Sequence, residues 1–311
     1  LIVTGVAFAK TPEATVDPFI WLEDIDSERS MDWVKDHNQA TADDYKAKPI
    51  YDELYQQALS TLNNKSRIPA VNRQGEWLYN YWKDDAHPRG IYRRAKVDDF
   101  IDNQQADWET VIDMDAYNQE HEGTWVFKGL NCLKPDYQRC LMYLSPGGGD
   151  AVVMKEFDVD KKEFIADGFQ LPEAKMRVSW RDYDHLFVAT DFGNDSLTES
   201  GYPAVVKLWT RGEDLKTAQT LLTVPDKSVS VGSFRLGDND EAIDFVIDST
   251  SFWTNDYYIL KENTPKKLNL PNSAEINGVF QGHLVVSLKD DWHFQEQALK
   301  QGMVLLIKPD L

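Results

Sequence analysis

Apolar residues recur along most of the chain in short runs of strand length, and turn residues separate one run from the next. Five such runs, rich in Val, Phe, Trp and Tyr, occupy residues 140–144, 151–157, 176–180, 186–190 and 204–209. Lys-Pro-Asp, Pro-Gly-Gly-Gly-Asp and Gly-Tyr-Pro are among the sequences between them. Aromatic and β-branched residues favour strands, and Gly, Pro and Asp favour the tight turns that join antiparallel strands. This pattern predicts an all-β fold.

The first part of the chain has a different, helical pattern. Ser27 is a suitable N-cap, and the spacing of Met31 and Val34 after it predicts a helix that continues to about residue 47. Pro49 stands at the start of a second helix, in which apolar residues recur every four positions and which ends near Asn63. The sequence therefore predicts a two-helix segment over residues 17–66.

From residue 67 onward the predicted strands fall into successive groups. Four groups cover residues 77–113, 125–166, 176–224 and 229–270, and a fifth begins at residue 275. Each group holds about four strands in about fifty residues, which is the size of a propeller blade. We therefore expect a β-propeller domain over residues 67–311, with four to five four-stranded blades. Residues 1–16 are expected to be the end of a signal segment and a linker.

Several short sequences resemble those of a known family. They are Cys-Leu-Lys-Pro-Asp-Tyr-Gln-Arg-Cys at residues 132–140, Leu-Ser-Pro-Gly-Gly at 144–148, Thr-Asp-Phe-Gly at 190–193, Ser-Gly-Tyr-Pro at 200–203 and Asp-Pro-Phe-Ile-Trp-Leu-Glu-Asp at 17–24. Together they are similar to the N-terminal region of the prolyl oligopeptidase family of serine peptidases. The resemblance implies a ring of seven blades, so the blades expected here would form an incomplete ring. We therefore expect the chain to be part of a longer protein, cut at both ends.

The resemblance also implies a function. In that family the propeller covers the active site and admits only short peptides to an α/β-hydrolase domain, whose catalytic serine lies in Gly-x-Ser-x-Gly. No serine of this chain follows a glycine by two positions, so we expect no catalytic residue here and a hydrolase domain beyond Leu311. The expected function is the non-catalytic, peptide-gating part of a serine-type oligopeptidase, inactive by itself. The alternative is a stand-alone propeller that binds a peptide or protein partner without catalysis.

Other candidate sites are weaker. His87 lies in a loop that lacks the spacing of metal ligands. Residues 238–241 are acidic but lack the glycine and the distant glutamate of a calcium loop. The glycine-rich residues 146–149 precede a strand rather than a helix with a phosphate-binding lysine. We therefore expect neither a metal nor a cofactor.

The two cysteines, Cys132 and Cys140, flank the turn sequence Lys-Pro-Asp, so a small hairpin would place them near each other. In an exported protein they would form a disulfide that closes a short loop. The alternative is two buried thiols. In the family that the chain resembles, the context of both cysteines does not require oxidation. The disulfide and the two buried thiols therefore both stay open.

Charge limits the partners and the N-terminal sequence suggests a location. With 33 basic and 52 acidic residues the net charge is -19, which repels phosphate backbones and anionic lipids, so neither nucleic acid nor a membrane surface is an expected partner. Residues 1–9 form an apolar run that ends in Ala-Phe-Ala, typical of the end of an export signal. They predict a periplasmic or secreted protein. The alternative is a buried first strand in a cytoplasmic protein.

Overall fold

The computed structural model describes residues 17–64, 66–103, 106–193, 195–237 and 242–309, without the side chains of residues 102 and 103. The expected signal segment and linker at residues 1–16 lie outside these ranges, as do the acidic residues 238–241. The chain divides into two compact units between Ser66 and Arg67.

The first unit is helical. It contains a 3-10 helix, Ile20–Glu23, followed by α1, Glu28–Lys46, and α2, Tyr51–Leu62. Ser27 has an extended backbone, and its Oγ accepts a hydrogen bond from the backbone N–H of Ser30 at 3.2 Å. This bond satisfies one of the N–H groups that the start of an α-helix leaves free. The two predicted N-terminal helices are confirmed.

The second unit consists of antiparallel sheets whose strands largely follow chain order. The first sheet contains β1 Asn72–Gln74, β2 Trp77–Trp82, β3 Ile91–Lys96 and β4 Glu109–Asp113, and two short helices, α3 Val97–Asn103 and α4 Met114–Glu120, flank β4. The second sheet contains β5 Trp125–Cys132, β6 Arg139–Pro146, β7 Val152–Asp158, β8 Glu163–Phe164 and β9 Gln170–Ala174. The third contains β10 Arg177–Asp182, β11 His185–Ala189, β12 Val205–Thr210 and β13 Gln219–Thr223.

The remaining strands form two more groups. The fourth sheet contains β14 Ser230–Leu236, β15 Ile243–Ser249, β16 Asn255–Lys261 and β17 Thr264–Lys267. The fifth contains β18 Glu275–Phe280, β19 His283–Ser287 and β22 Val304–Ile307, and a hairpin of β20 Trp292–Phe294 and β21 Gln297–Leu299 lies between β19 and β22 in the chain. Five successive small sheets confirm the predicted β-propeller architecture.

Some elements differ from the sequence-based expectation. The prediction omits β1, because its three residues, Asn-Arg-Gln, carry no apolar pattern. It ends the second group with a strand at residues 163–166, whereas β8 covers only two residues. The additional outer strand there is β9, which pairs with β7 although it contains Pro172. Proline is tolerated in an edge strand because such a strand leaves one row of N–H groups unpaired.

The apolar core lies between neighbouring sheets. Four clusters of buried side chains each join two sheets that are consecutive in the chain. Strand β6 shows how one strand serves two clusters: Cys140 and Met142 face the first sheet, whereas Leu141 faces the third. This alternation follows from the opposite directions of successive side chains in a strand. Every inner sheet is therefore packed on both faces.

Ion pairs with one buried partner also connect consecutive sheets. The guanidinium of Arg94 bonds to Glu109 in its own sheet at 3.1 Å and to Asp160 of the second sheet at 2.8 Å. The side chain of Glu156 on β7 is fully buried, and Arg211, which follows β12, donates two hydrogen bonds to it at 2.7 and 3.2 Å. The backbone N–H of Phe169 donates a third at 2.9 Å. These contacts fix the second sheet against both of its neighbours.

Candidate functional site

The first strands of the second, third and fourth sheets lie next to one another. Trp180 on β10 donates its indole N–H to the carbonyl oxygen of Asn131 on β5 at 2.9 Å. On the other side of β10, the hydroxyls of Ser179 and Ser233 are 2.9 Å apart, which joins β10 to β14. Strands β5, β10 and β14, called the inner strands below, therefore form a continuous wall across three sheets.

A cavity of about 650 Å³ lies at the end of this wall where the inner strands finish. Its lining comes from the last residues of β5, from most of β10, from the second half of β14 and from the turns that follow these strands: residues 131–136, 178–183, 233–235 and 237. We call this end of the sheets the second end, and the end where the inner strands begin the first end. The cavity is thus built from three consecutive sheets rather than within one of them.

Arginines dominate the part of the wall between the third and fourth sheets. Arg235 on β14 donates to Asp244 at 2.7 Å, and Arg181 on β10 lies 3.8 Å from the same carboxylate. Burial raises the pKa of Asp244, and the two guanidinium groups oppose that shift. One largely buried carboxylate therefore faces two cations. The charge of Asp182 also acts on Asp244 and adds to the rise of its pKa, and both Asp136 and Asp182 line the cavity.

The two cysteines lie beside the cavity. Cys132 is the last residue of β5, and Cys140 is directly opposite it on β6, with their Cα atoms 3.9 Å apart. The sulfur atoms are joined in a disulfide. The turn between them brings the backbone N–H of Tyr137 to the carbonyl oxygen of Leu133 at 2.9 Å. Because Cys132 lines the cavity, the disulfide fixes the hairpin that forms part of its wall.

The first end of the inner strands carries a second group of polar side chains, which we call the rim cluster: Lys175, Arg177, Tyr202 and Asp150. The ammonium nitrogen of Lys175 is 4.4 Å from the centre of the Tyr202 ring, and the guanidinium carbon of Arg177 is 5.9 Å from it. The Tyr202 hydroxyl donates to Asp150 at 2.9 Å, and this bond is the main reason why the pKa of Tyr202 is raised. The rim cluster thus connects the turn before β7, the start of β10 and the turn before β12.

The histidines weighed in the sequence have local roles. His87 lies between β2 and β3, where its Nδ1 is 3.1 Å from Asp84 Oδ1. His185, at the start of β11, has its Nδ1 2.7 Å from Asp182 Oδ1. In the part of the chain that the structure describes, no group of three His, Cys, Asp or Glu side chains is arranged to hold a metal. Helices of the described ranges are all too short or too polar to cross a bilayer.

Sequence reasoning missed the rim cluster and the arginine wall. Part of the arginine wall has a sequence signal, the alternation Arg177, Val178, Ser179, Trp180, Arg181. The odd-numbered residues of this run share one face of β10. The sequence alone does not say which sheet faces those residues. Their neighbours on β14 lie more than fifty positions further along the chain, as in the pair Ser179 and Ser233.

Comparisons with known proteins identify the same architecture. The family model described as prolyl oligopeptidase, N-terminal beta-propeller domain, matches residues 4–303. The uncharacterised peptidase y4nA of Sinorhizobium fredii is 33% identical over 294 residues, which is 91% of this chain and 40% of that protein. An uncharacterised peptidase of Rickettsia prowazekii is 26% identical over 92% of this chain and 42% of its own length. This chain therefore spans about two fifths of the curated relatives it matches.

Solved structures agree with these matches. A post-proline cleaving enzyme from Rickettsia typhi superposes with a TM-score of 0.83 at 26% identity, covering 91% of this chain and 43% of the enzyme. Oligopeptidase B from Trypanosoma brucei superposes with a TM-score of 0.68 over 98% of this chain and 42% of that structure. At 17% identity the second likeness concerns the fold alone.

Proposed function

This chain belongs to the prolyl oligopeptidase family through its N-terminal β-propeller, and we propose that it is the non-catalytic, peptide-gating part of a serine-type oligopeptidase. In such an enzyme the propeller restricts access to a hydrolase domain, so that short peptides reach the catalytic serine and folded proteins do not. The Rickettsia typhi relative is a post-proline cleaving enzyme. We therefore propose short proline-containing peptides as the substrates.

The observation that carries this proposal is the wall of inner strands. It runs from the rim cluster at the first end to the cavity at the second end, and one face of β10 carries the polar side chains Arg177, Ser179 and Arg181 along it. Such a row of polar groups suits an extended peptide, whose backbone N–H and C=O groups must remain hydrogen-bonded or hydrated. A folded domain is too wide to enter a cavity of about 650 Å³.

An exposed aromatic pair supports a hydrolase domain as the partner. Phe252 and Trp253 lie in the turn between β15 and β16, at the first end, and are 87% and 88% exposed. The turn is fixed by hydrogen bonds among Ser251, Thr254 and Thr250, so both rings are held exposed at the surface. Large exposed aromatic side chains are typical of interfaces. We propose that the hydrolase domain of the same protein covers them.

The proposal is tested by comparing this chain with the complete protein that its gene encodes. The chain alone should not hydrolyse a chromogenic proline-containing peptide. The complete protein should hydrolyse it, and a serine-directed inhibitor should abolish that activity. The complete protein should leave the same sequence intact in a surface loop of a folded protein. Activity of the chain alone, or cleavage of the folded substrate, would contradict the proposal, and a gene without a hydrolase domain would favour the stand-alone binding propeller.

We also propose that the protein is exported to the periplasm or secreted. The disulfide between Cys132 and Cys140 supports this location, because disulfides persist in oxidising compartments and are rare in the cytoplasm. Cell fractionation followed by thiol labelling without reductant tests it. The protein should be found outside the cytoplasm with both cysteines protected, and recovery from the cytoplasm with two reactive thiols would contradict the proposal.

A further inference from the structure

Two cations of the rim cluster form no ion pair within the described ranges. No carboxylate oxygen of the described residues lies within 4.0 Å of the charged nitrogens of Lys175 or Arg177, and both groups lie near the ring of Tyr202. Asp150 is held by the Tyr202 hydroxyl. Lys175 is half-buried, whereas Arg177 is exposed. Their hydrogen-bond donors are therefore available to a ligand that approaches the first end.

The position of Arg177 directs it along the inner wall. A Cβ built on Gly232 of β14 would lie 3.6 Å from the Cβ and Cγ of Arg177, so the arginine stem passes over a residue that has no side chain. Arg177 and Arg181 lie on one face of β10, separated by Ser179. The cations of the rim cluster therefore continue into the arginine wall described above.

The start of this wall differs in charge from the chain as a whole. The net charge is -19, whereas in the rim cluster Lys175 and Arg177 accompany one carboxylate, Asp150, which the Tyr202 hydroxyl already holds. An anionic group on a peptide would be repelled by most of the surface and would meet two cations here.

We propose that Lys175 and Arg177 bind a carboxylate of the peptide substrate, provided by an acidic side chain or by the C-terminus. The inference rests on the proposed function, since it assumes that peptides pass along the inner wall. The guanidinium of Arg177 offers a planar pair of N–H donors that matches a carboxylate, and the ammonium of Lys175 adds a further charge. The ring of Tyr202 supports both cations through cation–π contact.

The test measures binding of one proline-containing peptide in four forms to the 311-residue chain by isothermal titration calorimetry. The forms carry Glu or Gln at one position, and a free carboxylate or an amide at the C-terminus. A form with a carboxylate should bind about fivefold more tightly than the uncharged form, as expected for charge-assisted bonds at a partly exposed site. The two sources of carboxylate are distinguished by which substitution, at the side chain or at the terminus, removes the gain.

The variant Lys175→Gln/Arg177→Gln should remove the preference for a carboxylate. Its matched control, Lys216→Gln/Lys261→Gln, changes the charge equally at two exposed positions, one between β12 and β13 and one at the end of β16, and should keep the preference. Equal binding of all four forms, loss of the preference in both variants, or no binding of any form would overturn the inference. None of these results bears on the gating test, because that test measures hydrolysis by the complete protein and not the binding of a carboxylate.

Discussion

Replacing Arg211 with methionine should strongly destabilise the contact between the second and third sheets. Arg211 is the main partner of the fully buried Glu156, and removing one member of a buried ion pair costs about 3–5 kcal/mol. We expect the lower value, about 3 kcal/mol, for two reasons. The backbone N–H of Phe169 still bonds to Glu156, and Arg139 lies 3.8 Å from its other oxygen.

Urea unfolding followed by tryptophan fluorescence measures this loss, because Trp180 and Trp209 belong to the cluster that joins these two sheets. With a slope of about 3 kcal/mol per molar urea, the midpoint should fall by about 1 M. Adding Glu156→Gln should recover part of the loss, since the neutral amide still accepts the hydrogen bond of Phe169. Lys300→Met is the control: its pair with Asp291 is exposed, and its removal should leave the urea midpoint close to that of the parent.

A variant within about 1 kcal/mol of the parent at neutral pH, or a double variant no better than the single one, would refute this account of the pair.

Three further predictions concern other contacts. Reduction of the disulfide beside the cavity should lower the stability by about 2–3 kcal/mol, because it reopens a short loop in the unfolded state; thermal unfolding with and without reductant measures this, and an unchanged midpoint would contradict it. The hydrogen bond from Lys162 is the main reason why the pKa of Glu109 lies below 4.5. The stability that this hydrogen bond contributes is present above the unfolded pKa of Glu109 and is lost as the pH falls through its folded pKa. The stability of Glu109→Gln should therefore fall less in acid than that of the parent, which urea titrations at several pH values measure. A Cβ on Gly168 would lie 2.8 Å from the Cβ of Glu156, so Gly168→Ala should cost about 1–3 kcal/mol in urea unfolding, whereas Gly149→Ala, with open space around its Cβ, should be close to neutral.

Local patterns predicted most of the fold. Ser27 and the apolar spacing after it predict α1, and the runs of Val, Phe and Trp predict most strands of the four larger sheets. Elements without such patterns were missed, as with the polar β1 and the proline-containing β9. The blade-sized groups of strands, together with the family resemblance, predicted the propeller, but no local rule predicts which side chains meet across sheets.

The candidate site was less predictable for the same reason. Glu156 and Arg211 are 55 positions apart, and Arg181 and Asn263 are 82 apart. Their pairing depends on the register of whole sheets, which no short sequence window contains. Proximity of the two cysteines was predictable from the turn between them, whereas their oxidation state was not, since a hairpin can hold either thiols or a disulfide.

The four apolar clusters couple each sheet to its immediate neighbours in the chain. Cooperativity in such a linear array decays with distance, as it does in repeat proteins. The first and fifth sheets are supported on one side only by the clusters described, so they should open first. The amide protons of β11 and β12, in the third sheet, should exchange most slowly. A hydrolase domain bound across the first end would clamp several blades at once and turn this graded melting into a single transition.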